Sequence, residues 1–155
     1  MKNVRRDEKH EPLFKRFTET PHPASGKPVF STIRDFLCFL AVLGFHQGER
    51  TPLTGKTLEL DSRVFESHEQ SKDLLYLIAL AGSRDANILH PEREDEMVQV
   101  FEEYVATGFR TLDLWMKQCP DDHVGDQVIL TALRRDGFFE THVSSLEQAI
   151  NEVEF

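Results

Sequence analysis

Thr54-Gly55-Lys56-Thr57 has the residue types that end a phosphate-binding loop, where backbone amides and a lysine cradle nucleotide phosphates. That loop needs a glycine five positions before Gly55, but Arg50 stands there and Gly48 lies two positions too early. No apolar strand leads in, and Leu58-Glu59-Leu60 follows instead of a clear helix. The segment is expected to be an ordinary turn.

Metal chemistry is the next possibility, because seven histidines are present and Cys119 and His123 stand four apart beside Asp121, Asp122 and Asp126. A structural zinc site usually shows two such pairs. The chain has no second pair, so Pro120-Asp121-Asp122 is read as the end of one helix and the cap of the next, and no metal site is assigned. Acid–base catalysis would need carboxylates held at a defined separation in a cleft. The run Glu92 to Glu96 and the pair Glu102-Glu103 fall at helical spacings expected to face solvent. Asp85 and His90 flank an interhelix loop, where polar residues can be functional, although turn chemistry explains Asp85 equally well. Cys38 lies in the most apolar segment, where a thiol is a packing group. Neither a Gly-x-Ser-x-Gly elbow nor a certifiable Cys-His arrangement is found. No catalytic residue is assigned, and the chain is read as a non-enzyme that needs no cofactor.

Binding is better represented. Lys2, Arg5, Arg6, Lys9, Lys15 and Arg16 cluster near the amino terminus with Phe14 and Phe17 among them, and they are the candidate DNA-binding residues. Six neutralised phosphates would give a steep salt dependence, a log–log slope on the order of -5. Against this, Glu8 and Glu11 could pair with Lys9, Lys15 or Arg16 at helical spacing while the phenylalanines pack inward. Arg134-Arg135 are explained by the dipole at a helix end.

The charge distribution sharpens that choice. The 155 residues carry a formal charge of -9, yet residues 1–30 hold seven basic and four acidic groups, a net of +3. The other 125 residues hold 11 basic and 23 acidic groups, a net of -12. Such a body repels nucleic acid and anionic membranes, so any DNA contact must be local to the amino-terminal arm.

The elements that must position these residues are predominantly helical. Residues 1–28 read as a basic arm followed by a proline-rich linker, and 29–155 as a helical domain. In the arm, residues 1–19 could form a short helix with Leu13, Phe14 and Phe17 on one side. The three prolines between Thr20 and Pro28 prevent its continuation. A second helix should start near Ser31 or Thr32, capped with Asp35, and stop at Gly48. Being apolar nearly all round, it should be central. Residues 56–66 could include a short extended piece with Leu58, Leu60 and Val64. Ser67-His68-Glu69-Gln70 resembles a capping box ahead of the apolar run Leu74–Ala81, with Gly82 as its stop.

His90-Pro91 should open a long helix ending at Cys119-Pro120, with Gly108 marking a kink or a close crossing. Val124 to Leu133 reads as another amphipathic helix, closed by Gly137. Ser144–Glu147 could cap a tail helix carrying Leu146, Ala149, Ile150 and Val153. The expectation is an all-α, single-domain bundle of five to six helices. The longest apolar stretch, Phe36 to Phe45, has ten residues, whereas a membrane span needs roughly 20. With no secretory signal visible and two well-separated cysteines read as free thiols, a cytoplasmic location is expected.

Several segments together resemble a known family. They are Val29-Phe-Ser-Thr-Ile-Arg-Asp-Phe-Leu37, Ala41-Val-Leu-Gly-Phe45, Leu77-Ile-Ala-Leu-Ala81 leading into Ile88-Leu89, and Phe101-Glu-Glu-Tyr104 before Gly108. Over roughly residues 4 to 139 the chain is similar to the small accessory proteins associated with Dnd clusters, the bacterial DNA phosphorothioation systems. Such clusters encode enzymes that replace a non-bridging phosphate oxygen of DNA with sulfur, and a restriction apparatus that attacks unmodified DNA. The resemblance implies an adaptor or regulator in modification–restriction and antiviral defence, with other proteins of that machinery as partners. It brings no catalytic residue with it. The alternatives kept open are a DNA-binding subunit using the arm, and an enzyme with a site assembled from Asp85, His90 and His123.

Overall fold

The computed structural model describes residues 1–139; the expected tail helix from Ser144 lies outside the described residues. The longest element, α5 (Glu94–Gln118), runs through the middle of the fold, and every residue from Val100 to Phe109 on it is buried. Around it stand α1 (Glu11–Thr18), α2 (Ile33–Gln47), the short α3 (Arg63–Glu66), α4 (Glu69–Ser83) and α6 (Asp126–Arg135). The fold is a mostly helical single domain, as expected, with six α-helices among the described residues.

Local chemistry sets most of the helix ends. The Thr32 hydroxyl accepts the Asp35 N–H, and Gly48 closes α2 with a left-handed φ of 75°, which glycine adopts without a Cβ penalty. At α4 the expected assignment shifts by one residue. Ser67 belongs to the end of α3, and the His68 imidazole nitrogen takes the cap position, accepting the Ser71 N–H. Gly82 does not stop α4. The helix continues to Ser83 and closes at Arg84, which holds a left-handed φ of 56°. Gly82 has a different role: a Cβ there would press into the Tyr104 ring.

Two glycines bring α2 against α5. A Cβ on Gly108 would overlap the Leu40 carbonyl oxygen, and one on Gly44 would overlap that of Tyr104. Gly108 therefore serves a close crossing. α5, although the more polar of the two helices, is the more buried, because α4, the strand Val4–Asp7 and α6 pack against it as well as α2. α2 leaves Val42 at 44% and Phe45 at 38% exposed.

A two-stranded antiparallel sheet closes one side of α5. Strand β1 (Val4–Asp7) pairs with β2 (Thr57–Leu60), with Val4 opposite Leu60 and Asp7 opposite Thr57. The extended piece expected within 56–66 is β2 for Leu58 and Leu60, whereas Val64 falls in the short helix α3. The helix expected over residues 1–19 forms only from Glu11, because its first residues are drawn into the sheet. The basic segment read as an arm is built into the domain: Val4, Leu13, Phe14 and Phe17 belong to the same buried cluster as Phe36, Phe101 and Phe109. Phe17 stacks on Phe36 at 5.4 Å between ring centres. Among the described residues no helix is long and apolar enough to cross a membrane.

Candidate functional site

The six amino-terminal cations separate once the strand and α1 are in place. Arg5 sits on β1 facing α5. Its backbone N–H and its guanidinium both donate to Glu102, at 2.7 and 3.0 Å. The Arg6 guanidinium lies 3.8 Å from the centre of the Phe14 ring and pairs with Glu11 at 2.7 Å. Burial lowers the pKa of Arg6 from its ordinary value, with the Glu11 charge opposing that pull. Lys9 stands 3.3 Å from the Asp7 carboxylate, and Lys15 reaches Glu11 at 3.9 Å. Lys2 and Arg16 have no ion-pair partner among the described residues. Four of the six cations therefore face internal carboxylates. Glu11 takes part as anticipated, pairing with Arg6 and Lys15.

The pair Glu102-Glu103 overturns an expectation. Helical spacing placed both on a solvated face, yet Glu102 is 0% and Glu103 8% exposed. Covering β1 brings Arg5 onto Glu102. Arg50 pairs with Glu103 at 2.7 Å, and the Gln99 amide donates to the same carboxylate at 2.9 Å. A buried carboxylate without such partners would be strongly disfavoured. The loop after α2 is fastened to the same stretch of α5. The Thr51 N–H donates to the Glu103 carbonyl, and the Thr51 and Thr107 hydroxyls lie 2.9 Å apart. A polar cleft of about 340 Å³ remains here, walled by Arg5, Gln99, Glu102 and Glu103. Its carboxylates are already engaged by arginines, so the geometry describes a clamp joining strand, loop and helix.

Thr54-Gly55-Lys56-Thr57 is the turn leading into β2. The Thr54 N–H donates to the buried Asp7 carboxylate at 3.0 Å, and the Lys56 carbonyl accepts the Glu8 N–H at 2.9 Å. The lysine backbone serves strand pairing.

The scattered residues considered for catalysis do not converge. Asp85 caps the 3-10 turn Ala86–Leu89 and pairs with Arg93 at 2.6 Å, which holds its carboxyl below the usual range. His90 joins that turn to the next one, Pro91–Arg93, ahead of α5. His123 lies beyond the other end of α5, whose 25 residues span about 37 Å at 1.5 Å per residue. Near it, Asp122 accepts the N–H groups of Gly125 and Val128, both at 2.8 Å, and so fixes the start of α6. Asp126 meets His22 at 3.1 Å. No group of three or more His, Cys, Asp and Glu side chains is placed to share a metal ion among the described residues. Burial raises the Cys38 thiol above its ordinary pKa, which disfavours the nucleophilic thiolate.

What the surface does offer is an apolar groove on α4. Leu77 is 61% and Leu89 43% exposed, and with Tyr76, Leu80 and Asp73 they line a hollow of about 310 Å³. Leu77 belongs to the apolar run Leu74–Ala81, whose composition gives no sign of an exposed side. α4 is indeed half-buried, but Leu75, Ile78 and Ala79 carry its inner face, and nothing among the described residues covers Leu77.

These features define a small helical domain with enclosed arginine–carboxylate pairs and an exposed apolar groove on α4. The chain belongs to the family of DNA sulphur modification system-associated protein 4, whose model matches residues 3–148. The match begins at β1 and so includes the amino-terminal strand and α1. No curated protein and no solved structure matched the chain.

Proposed function

We propose that this protein is a non-catalytic accessory or regulatory component of a bacterial DNA phosphorothioation system. In this reading it works in the cytoplasm, in phosphorothioation-dependent modification, restriction and antiviral defence, by binding other proteins of that machinery. The observation that carries the reading is the uncovered apolar groove of α4. An exposed leucine pair beside an aromatic ring is a surface that water hydrates poorly and that a partner could bury. The internal pairing of Arg5, Arg6, Lys9 and Lys15 supports protein contacts over DNA as the main activity.

The test is a tagged pull-down from the native host after nuclease treatment, with mass spectrometry of the retained proteins. Recovery of phosphorothioation or restriction proteins is expected, and its loss in Leu77→Asp would tie it to α4. Retention that disappears with the nuclease would transfer the function to DNA binding.

A further inference from the structure

A second groove lies between α1 and the carboxy-terminal half of α5. Two hollows adjoin there and share Pro12, Leu13 and Asp113 as walls. One, of about 430 Å³, extends toward Lys9 and His10. The other, of about 360 Å³, extends toward Arg16, Lys117 and Pro120. Leu13 and Met116 are buried side chains at the base of the second hollow, so its floor is apolar while its rim is charged.

The charge of that rim departs from the rest of the molecule. Lys9, Arg16 and Lys117 are exposed on it. The carboxylate among the wall residues, Asp113, is bonded to Lys117 at 2.6 Å. Lys9 is likewise set 3.3 Å from Asp7, just outside the walls, yet with three cations against one carboxylate among its wall residues the groove is basic on a chain with a formal charge of -9. Arg16 brings a guanidinium with no ion-pair partner among the described residues, which an incoming carboxylate could engage through paired hydrogen bonds.

We propose that this groove binds an acidic, amphipathic segment of a partner protein, with carboxylates on the rim and an apolar side chain against Leu13 and Met116. Both halves of the site are needed to choose the occupant. Phosphates would be drawn to the cations but would gain nothing from the proline and leucine walls, and the acidic remainder of the protein would repel a duplex. An uncharged apolar segment would leave the Arg16 guanidinium unanswered. From Asp113 to Gln118 the groove follows about 7.5 Å of α5, with Pro120 just beyond its end, the length of roughly one and a half turns of a docked helix. The inference rests on the reading of the protein as one that contacts other proteins, but its site shares no residue with the α4 groove.

The test is fluorescence anisotropy on the full chain with three labelled probes: a short glutamate–leucine peptide, its lysine–leucine counterpart, and a DNA duplex. The glutamate–leucine peptide should bind, and the other two should not compete with it. The double variant Arg16→Glu with Lys117→Glu changes only exposed positions and should weaken that binding by about tenfold or more. Lys27→Glu, at an exposed cation that does not line the groove, controls for added negative charge and should change it little. Leu77→Asp should leave peptide affinity intact while abolishing the pull-down, so failure of this site and failure of the accessory reading are separate results. Equal binding of both peptides, indifference to the double variant, or displacement of the peptide by DNA would overturn the proposal.

Discussion

At the residue scale, Arg5 and Glu102 show how a charge becomes structural. Glu102 is enclosed and accepts both the backbone N–H and the guanidinium of Arg5, while 40% of the arginine side chain remains in contact with water. Arg5→Ala would leave an enclosed carboxylate with the backbone donor alone and should cost about 2–4 kcal/mol in urea unfolding, below the full range for a buried pair because Arg5 is partly solvated. Arg5→Lys should recover only part of that, since an ammonium cannot reproduce the guanidinium fork. His10 supplies a pH dependence. Its ring stacks on Phe109 at 4.7 Å, and burial, reinforced by Lys9, holds its pKa below the ordinary 6.5. Above that value both folded and unfolded chains carry a neutral imidazole and the site contributes no slope. As pH falls below it the unfolded chain takes up a proton more readily, so stability should decline until the folded pKa is passed. Stability measured against pH in His10→Phe should lack this component of the decline.

At the scale of elements, the fold depends on how closely α2 and α5 cross. Gly44 and Gly108 place backbone against backbone, and the surrounding core of Phe36, Leu40 and Phe109 is packed to that distance. Gly108→Ala raises helix propensity by about 1 kcal/mol in isolation. In this position it should instead destabilise by about 3 kcal/mol or more, because the added methyl meets a carbonyl group that cannot move without shifting the helix. A thermal melt of the variant decides the sign. The amino-terminal strand and α1 are elements of the same core. Removing them to test DNA binding would also remove Phe14 and Phe17, whereas single substitutions at Lys2 and Arg16 probe charge without disturbing packing.

For the whole molecule, the relevant quantity is how much of its positive charge faces outward. Six free cations in one arm would give a salt slope on the order of -5. With Arg5, Arg6, Lys9 and Lys15 set against carboxylates, Lys2 and Arg16 are the two left without an ion-pair partner among the described residues. The expected slope is about -2, with weak affinity against the acidic body. Titration of a labelled duplex over a range of salt measures it. A slope near -5 would show that the internal pairs open for DNA and would restore the arm to the function.

The helical class, the positions of α2, α4, α5 and α6, and the family were legible in the chain, because they follow from local periodicity, caps and a pattern spread along it. Thr32 with Asp35, Gly48, and Pro91 ahead of α5 are signals read within a few residues. Local signals of this kind cannot contain the meeting of segments that are distant in the chain. Val4–Asp7 becomes a strand because of a distant partner, Thr57–Leu60, with Val4 opposite Leu60 and Asp7 opposite Thr57. That pairing carries Arg5 onto Glu102 and turns an apparently solvated acidic pair into an enclosed one. It also ties the basic amino-terminal segment to the domain, with Val4, Leu13, Phe14 and Phe17 in the core and Lys9, Lys15 and Arg16 at the surface. Leu77 and the basic groove beside α1 were equally hidden, since exposure and the meeting of two helix faces are properties of the packed molecule.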